Sequence, residues 1–273
     1  MLSNAESAYL LGEELYMSGS IVWARDAYIS VIENFPTSAY YEDALFRLEL
    51  ISFELQDYDA ALDYFESLRQ SDPAFEYIDL AYIAAGLSNY NKGNFPSSRI
   101  FYGNVAPSSE YYLLSEYLSA VSYVEEGDID SAISAFREII DDPGSSSGGT
   151  DISDRARIAL AQILVDDRED YETALDLYSK VSPFSSYSDV AMLGKVWTLM
   201  RQERYQEAYN LAENVIEEVP NSELVSEFQL AQANCALGAE DVEMAVRMYE
   251  DLLREYGSED EYYDLFLTDQ SLA

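Results

Sequence analysis

Gly127-Asp128-Ile129-Asp130-Ser131-Ala132-Ile133-Ser134-Ala135-Phe136-Arg137-Glu138-Ile139 is the stretch whose reading decides the fold. Ile129, Ala132, Phe136 and Ile139 follow one another at steps of three, four and three, which places them on one face of an α-helix. The small Ala132 at the centre of that face lets a second helix come close. Gly127-Asp128 breaks the chain just ahead of it, so a turn and an earlier helix are expected upstream.

Counting from the small residue as position 0, the pattern recurs at Ala24, Ala61, Ser98, Ala132, Ala174, Ala208 and Ala245, with intervals of 37, 37, 34, 42, 34 and 37 residues. Three positions before it stand Ile21, Tyr58, Phe95, Ile129, Tyr171, Tyr205 and Val242. Four after it come Tyr28, Phe65, Tyr102, Phe136, Tyr178, Ala212 and Tyr249, and seven after it every residue is aliphatic, from Val31 to Leu252. Twelve before it, Gly12, Gly86, Ala120 and Ala233 supply a small position on the first helix. Glu49, Gln162 and Val196 break that rule, so a shifted or looser crossing is expected in their repeats. Pro36, Pro73, Pro107, Pro143, Pro183 and Pro220 end second helices, since proline lacks the donor a helix needs to continue.

A helix pair of this length cannot cover its own apolar face, so consecutive pairs must stack. The chain is identified by these seven registers as a member of the tetratricopeptide repeat family, over residues 5 to about 259. Loops such as Phe35-Pro36-Thr37-Ser38 and Val219-Pro220-Asn221-Ser222 further resemble bacterial cell-envelope members, the outer-membrane assembly lipoproteins and the Tol-Pal coordinators. The fold class implied is all-α: a right-handed superhelical solenoid of about seven helix-turn-helix repeats with a short C-terminal capping helix. Residues 1–141 are expected to hold repeats one to four, 142–150 a flexible Ser/Gly loop, 151–259 repeats five to seven, and 260–273 a cap or tail.

Composition narrows the function classes. Of 273 residues, 48% are hydrophobic, enough for a core, and no run of about 18 apolar residues suggests a membrane span. Met1-Leu2-Ser3-Asn4-Ala5-Glu6 lacks the basic start and apolar stretch of an export signal, although a leader or anchor ahead of position 1 would leave no trace. A soluble protein is expected, with periplasm or cell envelope and cytoplasm both left open. The single cysteine, Cys235, rules out an internal disulfide and reads as a core residue. The chain has no histidine, which removes the commonest general base and metal ligand. A net charge of −37 repels nucleic acid and anionic lipid. With lysine only at 92, 180 and 195, the surface fits either salt adaptation or an ordinary acidic protein.

No catalytic residue, cofactor or metal site is expected. Gly144-Ser145-Ser146-Ser147-Gly148 matches a nucleophile pattern in form only, because such a serine needs a strand-to-helix turn and a histidine base. Asp166-Asp167-Arg168-Glu169-Asp170 lacks the alternating oxygens and central glycine of a calcium loop.

The resemblance also implies a binding face. In the family, residues 18, 15, 11 and 8 before the anchor line the concave side. Carried over, they give Tyr9, Glu13 and Tyr16; Phe46, Leu50 and Phe53; Ile83, Leu87 and Tyr90; Tyr117 and Val121; Leu193, Trp197 and Met200; and Leu230 and Asn234 as candidate partner contacts. No lysine or arginine is among them, so clamping the acidic C-terminal tails of chaperones is not expected. The expected partner is another protein, apolar and carrying some basic residues, held as a peptide or helix. A structural or self-association module of a cell-envelope complex is the alternative.

Overall fold

The computed structural model describes residues 4–142 and 149–256, and every regular element there is an α-helix. The pairs are α1 (Ala5–Met17) with α2 (Ile21–Asn34), α3 (Tyr41–Glu54) with α4 (Tyr58–Ser71), α5 (Ile78–Asn91) with α6 (Phe95–Tyr102), and α7 (Tyr112–Glu126) with α8 (Ile129–Asp141). They continue with α9 (Gly149–Asp167) and α10 (Tyr171–Ser179), α11 (Ser188–Arg201) and α12 (Tyr205–Glu218), and α13 (Val225–Gly238) and α14 (Val242–Tyr256). Residues 143–148 of the expected Ser/Gly loop, with the Gly-x-Ser-x-Gly match inside it, and the expected cap at 260–273 lie outside the described residues.

The turn inside each pair follows one rule. Five positions before the anchor, Gly19, Gln56, Gly93, Gly127, Glu169, Glu203 and Glu240 all sit at positive φ, between 53° and 82°. That left-handed residue stops the first helix, and glycine adopts it without the steric cost a side chain incurs. In four turns the next residue then caps the second helix: Asp57, Asp128, Asp170 and Asp241 accept the N–H of Ala60, Ser131, Thr173 and Met244 at 3.0–3.3 Å.

The loops between pairs are equally regular. Ser38, Ser109, Ser185 and Ser222 each accept, through Oγ, the N–H of the residue two further on, at 3.2–3.4 Å. Phe75 replaces serine in the second such loop, where backbone turns from Phe75 N–H to Asp72 and from Ile78 N–H to Phe75 keep the same path. An acid in the first two turns of the first helix ties the loop that closes its own repeat in three repeats. Asp79 accepts from the Ala106 N–H at 3.1 Å, buried Asp154 from the Ser182 N–H at 3.2 Å, and Asp189 from the Ser222 hydroxyl at 2.5 Å.

The chain divides into two compact units, Met1–Ala135 and Phe136–Ala273, with the boundary inside α8. In the first, helices α1 to α7 pack in chain order and the first helices α3 and α5 also touch. A Cβ added to Gly12 would stand 2.6 Å from the Tyr28 ring, so only glycine lets α2 lie this close to α1, and Gly86 admits Tyr102 in the same way. In the second, α9 to α14 pack in order, and the first helices α9 and α11, and α11 and α13, touch.

All seven anchors are buried, none more than 1% exposed. The three departures twelve positions earlier resolve differently. Gln162 is exposed while its neighbour Ala161 is buried, a one-residue shift, whereas Val196 and Glu49 are both fully buried in place. Cys235 is buried within the α11 to α13 core, where burial pushes its thiol up to about 11.

Candidate protein-binding face

The sixteen candidate contacts all lie on first helices, but their surroundings differ. In the first unit Glu13 is held on three sides. The Tyr28 hydroxyl donates to it at 2.6 Å, and Arg47, one repeat further on, donates Nε and Nη2 to its two oxygens at 2.8 Å each. Tyr9 packs between Tyr28 and Tyr40, with ring centroids at 5.6 and 5.3 Å. Burial, then the neighbouring Glu13, raises the Tyr28 hydroxyl far above its ordinary range, so it stays a neutral donor. Burial works against the Arg47 charge, and its hydrogen bonds with Tyr9 and Glu13 outweigh it, leaving it raised.

Arg47 is the residue that carrying over family positions omits. The legible signal is an acid on one first helix and a base on the next, Glu13 eleven and Arg47 fourteen positions before their anchors. In the first unit Arg47 brings a cation to the face, and that cation is committed to a bidentate pair with Glu13.

Phe46 and Ile83 are buried, at 6% and 3% exposure, so they support the face from below. Phe46 stacks on Tyr77 at 5.7 Å and 10°, and Leu50 packs against the core around Phe65. Tyr16 donates to Glu54 at 3.4 Å, Phe53 lies against Tyr58 at 5.8 Å and Tyr90 against Phe95 at 5.5 Å. Leu87, Tyr117 and Val121 are half-buried.

In the second unit Leu193 and Met200 pack against the core, while Trp197 on α11 and Leu230 and Leu237 on α13 are exposed at 38%, 41% and 49%. Asn234 accepts the Tyr249 hydroxyl at 2.7 Å. Asp166 on α9 takes Arg201 of α11 at 3.2 Å.

One pairing rule links these residues. In two repeats the ring four after the anchor reaches the first-helix residue fifteen positions earlier. Tyr28 and Tyr249 find acceptors there, Glu13 and Asn234. The Tyr102 ring lies against Gly86, and its buried hydroxyl has no partner. Among the described residues no group of three or more acidic or cysteine side chains is placed to hold a metal ion, and no helix is long and apolar enough to cross a membrane.

Residues 115–145 match the family model described as Tetratricopeptide repeat. Among solved structures, the C-terminal part of a tetratricopeptide repeat-containing protein from Cytophaga hutchinsonii superposes with a TM-score of 0.70 at 14% identity, covering 94% of this chain and 98% of that one. A tetratricopeptide repeat protein from Parabacteroides merdae gives 0.61 at 15% identity over 97% of both chains. The apo form of the quorum sensor NprR from B. thuringiensis gives 0.59 at 13% identity over 92% of this chain and 86% of that one. No curated protein matches the sequence. The fold of this chain is that of the tetratricopeptide repeat proteins.

Proposed function

Starting from that fold, we propose that the chain is a non-catalytic scaffold that holds a protein partner on the first-helix face of each unit. The observation that carries the reading is the second unit's exposed apolar stripe, Trp197 with Leu230 and Leu237 on touching helices α11 and α13. Half-exposed tryptophan and leucine on adjoining elements offer large contact area at little ordering cost, which is the makeup of an interface centre. Stacked repeats create such extended surfaces as a consequence of their geometry.

The partner that fits is an apolar peptide or helix with basic residues at its edges. The first unit's face holds Glu13 paired and Tyr9, Tyr16 and Tyr90 as neutral, half-buried rings, and the net charge of −37 steers cations toward it. Tyrosine rings give contact area with a polar tip for a peptide carbonyl.

The test is affinity capture from the source cell with the wild-type chain and with a Trp197→Ala, Leu230→Ala, Leu237→Ala variant whose melting is unchanged. The expected outcome is a captured protein lost in the variant, with retention weakening as salt rises. An identical captured set from both chains refutes the reading.

A further inference from the structure

Repeat registers show what each position faces. Fourteen positions before the anchor, Arg47 pairs with Glu13 of the preceding repeat, and a Cβ on Gly194 would meet the ring of Tyr178, also of the preceding repeat. Ala84, Leu160 and Ala231 at the same position are buried. Thirteen before it, Leu48, Ala85 and Ala161 are fully buried. One before it, Ala60 of α4 lines a cavity shared with Arg25 and Ile29 of α2. The two first-helix positions form the surface on which the preceding helix pair sits, and Ala60 adds to it in the second repeat, although Thr173 and Glu207 at the Ala60 position are exposed.

In the first repeat the three positions are Leu10, Leu11 and Trp23, exposed at 56%, 36% and 68%. The opposite surface is read in the same way. One position after the anchor, Leu175 packs into the next repeat's core, and eight after it, Ile32 and Ile216 do so. In the last repeat these positions are Val246, 48% exposed, and Leu253, half-buried. Leu10 and Leu11 stand exposed at two positions that later repeats fill with Leu48, Ala84, Ala85, Leu160, Ala161 and Ala231, all buried, so they are an unfinished repeat interface, and the end face of α14 carries its counterpart.

We infer that the occupant is a second copy of this chain, its α14 end face seated on Leu10, Leu11 and Trp23 in the way one repeat seats on the next. The contact is head to tail, so it leaves a free head and a free tail and extends into chains of subunits. It continues the interface that repeats inside each unit and uses residues distinct from the first-helix face. A charge of −37 on every copy opposes it, so assembly requires salt.

Sedimentation velocity on the full chain tests this. The expected result is a monomer at low salt and growing species at about 1 M sodium chloride, where the Debye length falls to about 3 Å. Leu10→Glu with Trp23→Glu blocks the head, and Val246→Glu with Leu253→Glu blocks the tail; each alone should stay monomeric, and an equimolar mixture should stop at a dimer. Asn91→Glu with Asn104→Glu adds the same charge at exposed sites away from both ends and should assemble like the wild type, and circular dichroism checks that every variant folds. A wild-type chain that stays monomeric in molar salt at about 0.3 mM overturns the inference, as does assembly unaffected by the end-face variants or equally lost in the charge control.

Discussion

Replacing Glu49 by methionine should stabilise the first unit, by an amount that grows with pH. Glu49 stands where other repeats have Gly12, Gly86, Ala120 and Ala233, and it is 0% exposed with both carboxyl oxygens unpartnered. Burial alone holds its pKa well above the ordinary 4.5. Below that ordinary value the folded and unfolded states both keep the proton, and the cost is that of an unpartnered neutral polar group, about 1–3 kcal/mol. As pH rises from there to the raised folded value, the unfolded chain releases a proton the folded one retains, so stability falls by about 1.4 kcal/mol per pH unit. Above the folded value the loss is complete and the dependence flattens. Methionine keeps the unbranched length and suits a helix, while removing both contributions. Glutamine removes only the titration, so Glu49→Gln should track Glu49→Met in slope but not in offset. Urea unfolding followed by circular dichroism from about pH 4 to about pH 8 measures both, and taking differences from the wild type cancels the other carboxylates. A wild-type to methionine difference that does not change across that range refutes the argument.

Three further outcomes are expected. Tyr102→Phe should leave stability unchanged or raise it by about 1 kcal/mol, because it deletes a buried hydroxyl without a partner, whereas Tyr28→Phe should cost about 1.5 kcal/mol or more by removing a bond to the Glu13 carboxylate; chemical denaturation separates them. Glu203→Gly should stabilise and Gly127→Ala destabilise, each by roughly 1 kcal/mol, because both residues sit at positive φ, 59° and 82°; thermal melts of the two variants should move in opposite directions. Added sodium chloride should raise the melting temperature by screening 52 acidic against 15 basic residues, and an unchanged midpoint between low and molar salt would remove repulsion as a factor.

How far the sequence is legible depends on how local the cause is. Every anchor from Ala24 to Ala245 is buried because close helix crossing demands a small residue at a fixed phase, and phase is written in the chain. The loops were equally readable, since proline stops a helix and serine satisfies a backbone N–H by itself, as at Ser38 and Ser222. The candidate face was legible only to its register. Phe46 and Ile83 occupy the expected phase yet are buried, Phe46 because Phe75 and Tyr77 of the next loop close over it.

The sequence by itself determined the helix pairs, their number, their turns and which side of each helix is apolar, because these follow from spacing along one chain. Tertiary structure alone decided that Glu13 is neutralised by Arg47, that the Tyr102 hydroxyl is buried without a partner, that Gln162 yields its place to Ala161, and that Glu49 is sealed away with both carboxyl oxygens unpartnered. Each of those depends on which side chain a neighbouring repeat brings opposite. A periodic pattern says that helices meet, and only the packed repeats say what meets what.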